Sequence, residues 1–171
     1  MTSTDTATGE RADLLSALAK QRYFLRFTAR DLTDEQAARR TTVSALCVGG
    51  AIKHVTQTER QWVQFIVDGP SAMAWDESDM GAYMDGFRMV EGETLAGLLA
   101  DYDQVAQHTD DLIRSLPDLD VSHPLPEAPW FEKGASWSAR QVLLHVIGET
   151  AQHAGHADII RESLDGAKSM G

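Results

Sequence analysis

Glu149 and His153 stand four residues apart in LLHVIGETAQHAGHADIIRE, a proline-free stretch whose apolar residues recur at helical spacing. On a helix, that spacing puts a carboxylate and an imidazole on neighbouring points of one face, within reach of a single ion. Val142, Val146, Glu149, His153, Ala157, Ile160 and Leu164 step by three or four, so the two polar groups interrupt an apolar stripe. A carboxylate buried there without a partner costs several kcal/mol, and a cation or a metal ion would supply one. His145 extends the line one turn earlier, but it lies eight residues before His153. That is about 12 Å of helical rise, too far for both to hold one ion bound at about 2 Å. A third ligand has to come from another element.

His54 and His108 are the other histidines on predicted helices, and His123 falls in a proline-rich loop. His54 borders the apolar arc of its helix, on the side of Cys47, Ala51, Thr58 and Gln61. His108 is turned about 120° from Tyr102, the centre of its own helix's apolar face. His54 is therefore the better candidate. Two His and one Glu form a three-ligand zinc set that leaves a fourth position open, as catalytic zinc requires. The E-x3-H spacing alone serves a hydrogen-bonded or surface pair equally well.

These residues need long helices to hold them. Leu14, Leu15, Leu18, Phe24, Leu25 and Phe27 predict a first helix over about 11–30, and Thr33 with Gln36 makes a capping-box pattern for a short helix after it. A second long helix is expected over about 44–67, ending at Asp68-Gly69-Pro70. Its Gly49-Gly50 pair costs helix propensity and marks either close packing or a local break. Residues 71–93 read as a long crossover with one short helix, and residues 94–116 as a third long helix ended by Pro117. The next stretch, PDLDVSHPLPEAPWFEKGAS, holds four of the five prolines and reads as loop. Ser138 with Gln141, and Trp137 with Val142, give the fourth helix a capping box and a hydrophobic staple, and it is expected to run to about Ser163. Four long helices without strands predict an all-α four-helix bundle with long crossover connections, spanning residues 11–165 between a disordered tail at 1–10 and a tail at 166–171.

The chain has 171 residues, 43% hydrophobic and 24% charged, ordinary values for one globular domain. Its net charge of -11 repels phosphate backbones and anionic membrane surfaces, so neither nucleic acid nor membrane is an expected partner. The single Cys47 rules out an internal disulfide, and MTSTDTATGE has neither the basic start nor the apolar run of a signal peptide. A cytoplasmic protein, monomer or homodimer, is expected.

His54 in AIKHVTQTERQW, followed about ninety residues later by LLHVIGETAQHAGHADIIRE, resembles the DinB-like superfamily of metal-binding four-helix bundles. In that superfamily the last ligand sits in an H-x-G-Q-hydrophobic pattern, here His153-Ala154-Gly155-His156. The E-x3-H form with a distant His is closer to the mycothiol-dependent branch, which includes maleylpyruvate isomerase. HAGHADIIRE, LTDEQAARR and the Trp137-Ser138 helix start are similar to the stand-alone actinobacterial mycothiol S-transferases, over residues 11–165. The isomerase carries a further C-terminal domain absent from this chain, so isomerase activity is not expected. Ala154 and His156 stand where the wider superfamily often has Arg and Gln, a departure in the groups around the metal.

The resemblance implies that His54, Glu149 and His153 hold zinc or another divalent metal. It further implies that mycothiol is the co-substrate, joined to small electrophiles in detoxification. A metal-held thiol is deprotonated. With an ordinary thiol pKa of about 8.5, about 3% is ionised at pH 7, so full ionisation is worth about 30-fold, or about 2 kcal/mol. Positioning of the electrophile has to supply any larger acceleration. Gln57 and His156 each lie about 60° around their helices from a ligand and are candidates to contact the thiol, with Asp158 as a third. His145 is a candidate proton acceptor or a hydrogen-bonded core histidine, and Arg161 pairs with Asp158 or contacts the thiol's sugar portion. Cys47 reads as a small packing residue. Met73, Trp75, Met80, Tyr83, Met84 and Met89 in the crossover, and Trp130 and Phe131 in the later loop, suit either an apolar pocket or packing over the bundle end. Two other functions fit the same ligands: a zinc-water hydrolase and a non-enzymatic metal-binding stress-associated bundle.

Overall fold

The structure, a computed structural model, describes residues 8–74 and 79–170. Four long helices dominate it: α1 (Gly9–Thr28), α3 (Val48–Asp68), α5 (Leu95–Ser115) and α6 (Ala139–Asp165). Short α2 (Asp34–Ala38) and α4 (Met80–Asp85) sit in the first two connections, and a 3-10 turn covers Gly69–Met73. α6 packs between α1 and α3, α5 packs on α3, and α1 touches α5, which closes a four-helix bundle with α1 and α3 on the diagonal. The two connections after α3 are long, as the spacing predicts. Within the connection read wholly as loop, β1 (Ser122–Pro124) pairs antiparallel with β2 (Ser136–Ser138). This is a correction to the strand-free reading, and its reason is local. The hairpin is held by His123 Nε2 against the Ile66 carbonyl (3.1 Å) and by Leu125 N donating to Ala135 O (2.9 Å), contacts that three-residue strands do not announce by alternation.

The helix ends follow their capping chemistry. Thr33 and Gln36 form the reciprocal capping box of α2, and Ser138 Oγ accepts from Gln141 N at the start of α6. α3 begins at Val48, later than expected, because Cys47 is its N-cap, with Sγ accepting from Gly50 N. Gly166 in the left-handed region ends α6. The residues beyond it are tied down: Ser169 N donates to Asp158 (2.6 Å) and Arg30 reaches Lys168 O (3.3 Å). α1 starts at Gly9, inside the expected N-terminal tail, whose residues 1–7 lie outside those described.

The core is two apolar clusters with a polar layer between them. Leu25, Ile52, Val55, Tyr102 and Ile160 anchor one, and Leu18, Phe65, Ile113, Val142 and Leu143 the other. Between them Arg22 of α1, 2% exposed, pairs with the fully buried Glu59 of α3. Arg22 Nη1 also reaches Asp110 (2.8 Å), and Thr109 Oγ1 donates to Glu59 (2.6 Å), so all three helices share one network. Buried charges persist only when paired and hydrogen-bonded in this way.

Candidate metal centre

The seam between α3 and α6 carries the candidate centre. α3 contributes His54 and α6 contributes Glu149 and His153 one turn apart; one ligand atom from each lies within 4.8 Å of the others. Glu149 Oε2 is 3.9 Å from His54 Nε2 and 3.8 Å from His153 Nε2. Three ligand atoms around an ion bound at about 2.0–2.1 Å in tetrahedral geometry sit about 3.4 Å apart, so small side-chain movements close the set. The donors are two imidazole nitrogens and one carboxylate oxygen, and among the described residues the ion-pair contacts of Glu149 are with these two histidines alone. Glu59 makes the contrast: there a buried carboxylate has an arginine, whereas the half-buried Glu149 has imidazoles as its ion-pair contacts among the described residues. The residues fit a divalent cation.

Burial also sets their protonation. It pushes the imidazole of His54 below its ordinary value, against an opposing pull from the Glu149 carboxylate. Burial, aided by the two neighbouring histidines, brings His153 down to about 4. Both rings are therefore neutral at pH 7, with lone pairs free to ligate. The unfolded chain, with an ordinary imidazole near 6.5, takes up a proton that the folded metal-free protein refuses, so stability falls as pH falls from 6.5 to about 4 and levels off below. Metal affinity should follow: it holds at pH 7 and above, where both rings are free bases, and falls at lower pH as protons compete for His54 below its ordinary range and for His153 near pH 4. Zinc titrations at stepped pH check this, and affinity already lost between pH 8 and 7 would contradict it.

The other expected site residues are placed unequally. The His156 ring lies 5.3 Å from that of His153, and both rings keep a buried Nδ1 with no hydrogen-bond partner among the described residues. Gln57 is exposed and lies against Gly86 of the crossover. His145 packs edge-on to Trp62 (4.8 Å) and beside Trp137 (5.2 Å), with its imidazole pushed down by burial. Asp158 is not brought to the triad: Thr28 Oγ1 (3.4 Å) and Ser169 N (2.6 Å) donate to it, joining α1 to the C-terminal residues. Arg161 pairs with Asp165, not Asp158, and its Nη1 donates to the Thr28 and Arg30 carbonyls. His108 is exposed on α5.

The crossover residues divide. Met80, Tyr83 and Met84 are exposed, Met89 and Met73 pack inward, and Trp75 lies outside the described residues. Phe131 packs on Trp62 and Trp137 while Trp130 remains 77% exposed. Sequence reasoning missed Phe87, whose ring stacks on His54 at 4.4 Å and 24°. The signal was the Gly49-Gly50 pair, which turns out to mark close packing against the Phe87 and Met89 segment.

Among the described residues no helix is long and apolar enough to cross a membrane. A comparison with curated proteins returns no match. The family model described as mycothiol-S-transferase matches residues 13–166.

Proposed function

The chain belongs to the mycothiol-S-transferase family, and from that premise we propose a zinc-dependent enzyme that joins the sulfur of mycothiol to small electrophiles in detoxification. The observation that supports it is the convergence of His54, Glu149 and His153 from two helices, neutral imidazoles that are the ion-pair contacts of the carboxylate among the described residues. Nε2 of each histidine and Oε2 of Glu149 are the proposed ligand atoms. A divalent ion held by three protein ligands supplies an open position at which a thiol ionises at neutral pH.

The chain's own residues do the rest. In the reaction the thiol S–H bond breaks, its sulfur forms a bond to the electrophilic carbon, and a leaving group departs with its bonding pair. An addition acceptor instead takes up a proton. His156 beside His153, and Gln57 one turn beyond His54 on α3, are proposed to contact the thiol. His145, one turn before Glu149, is proposed to take the released proton at a ring nitrogen. Cys47 takes no part, being 1% exposed and committed to capping α3.

The test is conjugation of a fluorogenic electrophile by the purified protein with mycothiol, with cysteine and without thiol, each with zinc and with a chelator. Turnover confined to mycothiol plus zinc is the expected result, and chelation should lower the rate at pH 7 by at least about 30-fold, the share that complete thiol ionisation supplies. Unchanged conjugation in chelator would refute the metal's role. Zinc-dependent hydrolysis without thiol would favour the hydrolase, and bound zinc with no turnover the non-enzymatic bundle.

A further inference from the structure

Metal-ligating histidines commonly have the second ring nitrogen fixed by a carboxylate, a backbone carbonyl or water, which sets the ring's orientation. At the centre on α3 and α6 no protein group among the described residues fixes His153 Nδ1 in this way: the atom is buried without a hydrogen-bond partner. The ion-pair contact of His54 Nε2 with Glu149, at 3.9 Å, is beyond hydrogen-bond reach. The His54 ring instead meets an aromatic face: Phe87 stacks on it with centroids 4.4 Å apart. Tyr83 closes edge-on against Phe87 at 5.2 Å and 80°.

Phe87 is itself held in place by features of α3. A Cβ at Gly50 would collide with the Phe87 carbonyl and lie 2.9 Å from Arg88 N, and one at Gly49 would collide with the Met89 sulfur. Gly50 therefore forms a notch on α3 into which the crossover backbone settles, four residues before His54, and Gly49 beside it makes room for the Met89 side chain. Lys53, beside the ligand, ties the segment further: its Nζ pairs with Glu93 (2.7 Å) and reaches the Arg88 carbonyl (3.4 Å). Glu93 in turn accepts from Val90 N (2.8 Å). Helix propensity disfavours two consecutive glycines by about 1 kcal/mol each relative to alanine. At Gly50 the cost coincides with a backbone contact that no side chain permits.

We propose that Phe87 is a positioning residue for the metal centre, held by the Gly50 notch so that its ring fixes the orientation of His54 by stacking. The inference rests on the reading of His54, Glu149 and His153 as metal ligands. It extends that reading from the ligands to the crossover, which becomes the support of the α3 ligand.

Three variants test it: Phe87→Leu keeps apolar bulk and removes the aromatic face, Phe87→Tyr keeps the ring, and Gly50→Ala displaces the segment while raising helix propensity. Zinc affinity is read by competition with a chelator, and the His54 ring by its proton resonances in the metal-free protein. Phe87→Leu and Gly50→Ala are expected to weaken zinc binding by about tenfold, the scale of losing an outer support, and to move the His54 resonances. Phe87→Tyr should retain both properties. Wild-type zinc affinity in Phe87→Leu overturns the proposal, as does an unmoved His54 resonance. A wild-type protein that binds no zinc overturns the metal reading itself, and the proposal with it. That result is distinct because it concerns the parent, whereas failure of the inference alone leaves the parent's zinc binding intact.

Discussion

Replacing His153 by alanine is expected to weaken zinc binding at least 100-fold and to abolish conjugation, because losing one of three protein ligands exceeds the roughly 10- to 100-fold loss that removing an outer-shell partner causes. The variant should still fold. Alanine is the strongest helix former, and Val146, Ala157 and Ile160 keep α6 seated on both sides of the substitution. A readout independent of turnover separates ligand loss from unfolding. Zinc at about 100 times its Kd stabilises the wild type by about 2.7 kcal/mol, which for a chain of this length raises Tm by about 5–10 °C. The variant should melt cooperatively and gain nothing from zinc. An equal zinc-induced Tm rise in His153→Ala would remove this residue from the ligand set.

The second large effect lies away from the site. Glu59→Ala leaves Arg22, 2% exposed, in the bundle interior without its principal partner. Breaking a buried ion pair from one side costs about 3–5 kcal/mol. Asp110, 2.8 Å from Arg22 and partly exposed, remains as a counter-charge, so the lower end is expected, a Tm drop of about 6–12 °C. Replacing both partners with apolar residues, as in Arg22→Met with Glu59→Leu, should recover most of that loss. Zinc affinity should survive in both, since neither residue contacts the triad. Thermal melts of the two variants in the absence of zinc decide the point. A double variant no more stable than Glu59→Ala would show that the network contributes more than the removal of an unpaired charge.

The convergence of the three residues was legible because helical periodicity is a strong signal, whereas the metal itself came from the family resemblance, since the E-x3-H spacing serves a hydrogen-bonded pair equally well. Glu149 and His153 fall on a stripe otherwise filled by Val142, Val146, Ala157 and Ile160, and His54 edges its own apolar arc. The capping patterns at Thr33 and Ser138 fixed two helix starts because each is complete within four residues. Features joining distant segments were not read. Arg22 occupies the seam of α1 between Leu18 and Leu25, and Glu59 that of α3 between Val55 and Trp62. Each charge interrupts an apolar series as Glu149 does, yet nothing local says that residues 37 apart in sequence answer one another. The Phe87 stack depends on where a long crossover lands, which periodicity does not encode, although Gly49-Gly50 marked its landing point. Asp158 and Arg161 looked available beside the site because their helix positions are close to it. Their actual partners are the end of α1 and the residues after α6.

Metal dependence is tested by stripping the protein of metal, returning zinc in measured steps, and following conjugation of mycothiol to an electrophile at each step. Initial turnover should be negligible, and the rate should rise in proportion to zinc, with a break at one ion per chain. Full turnover in the stripped protein, or a rate indifferent to added zinc, would contradict it.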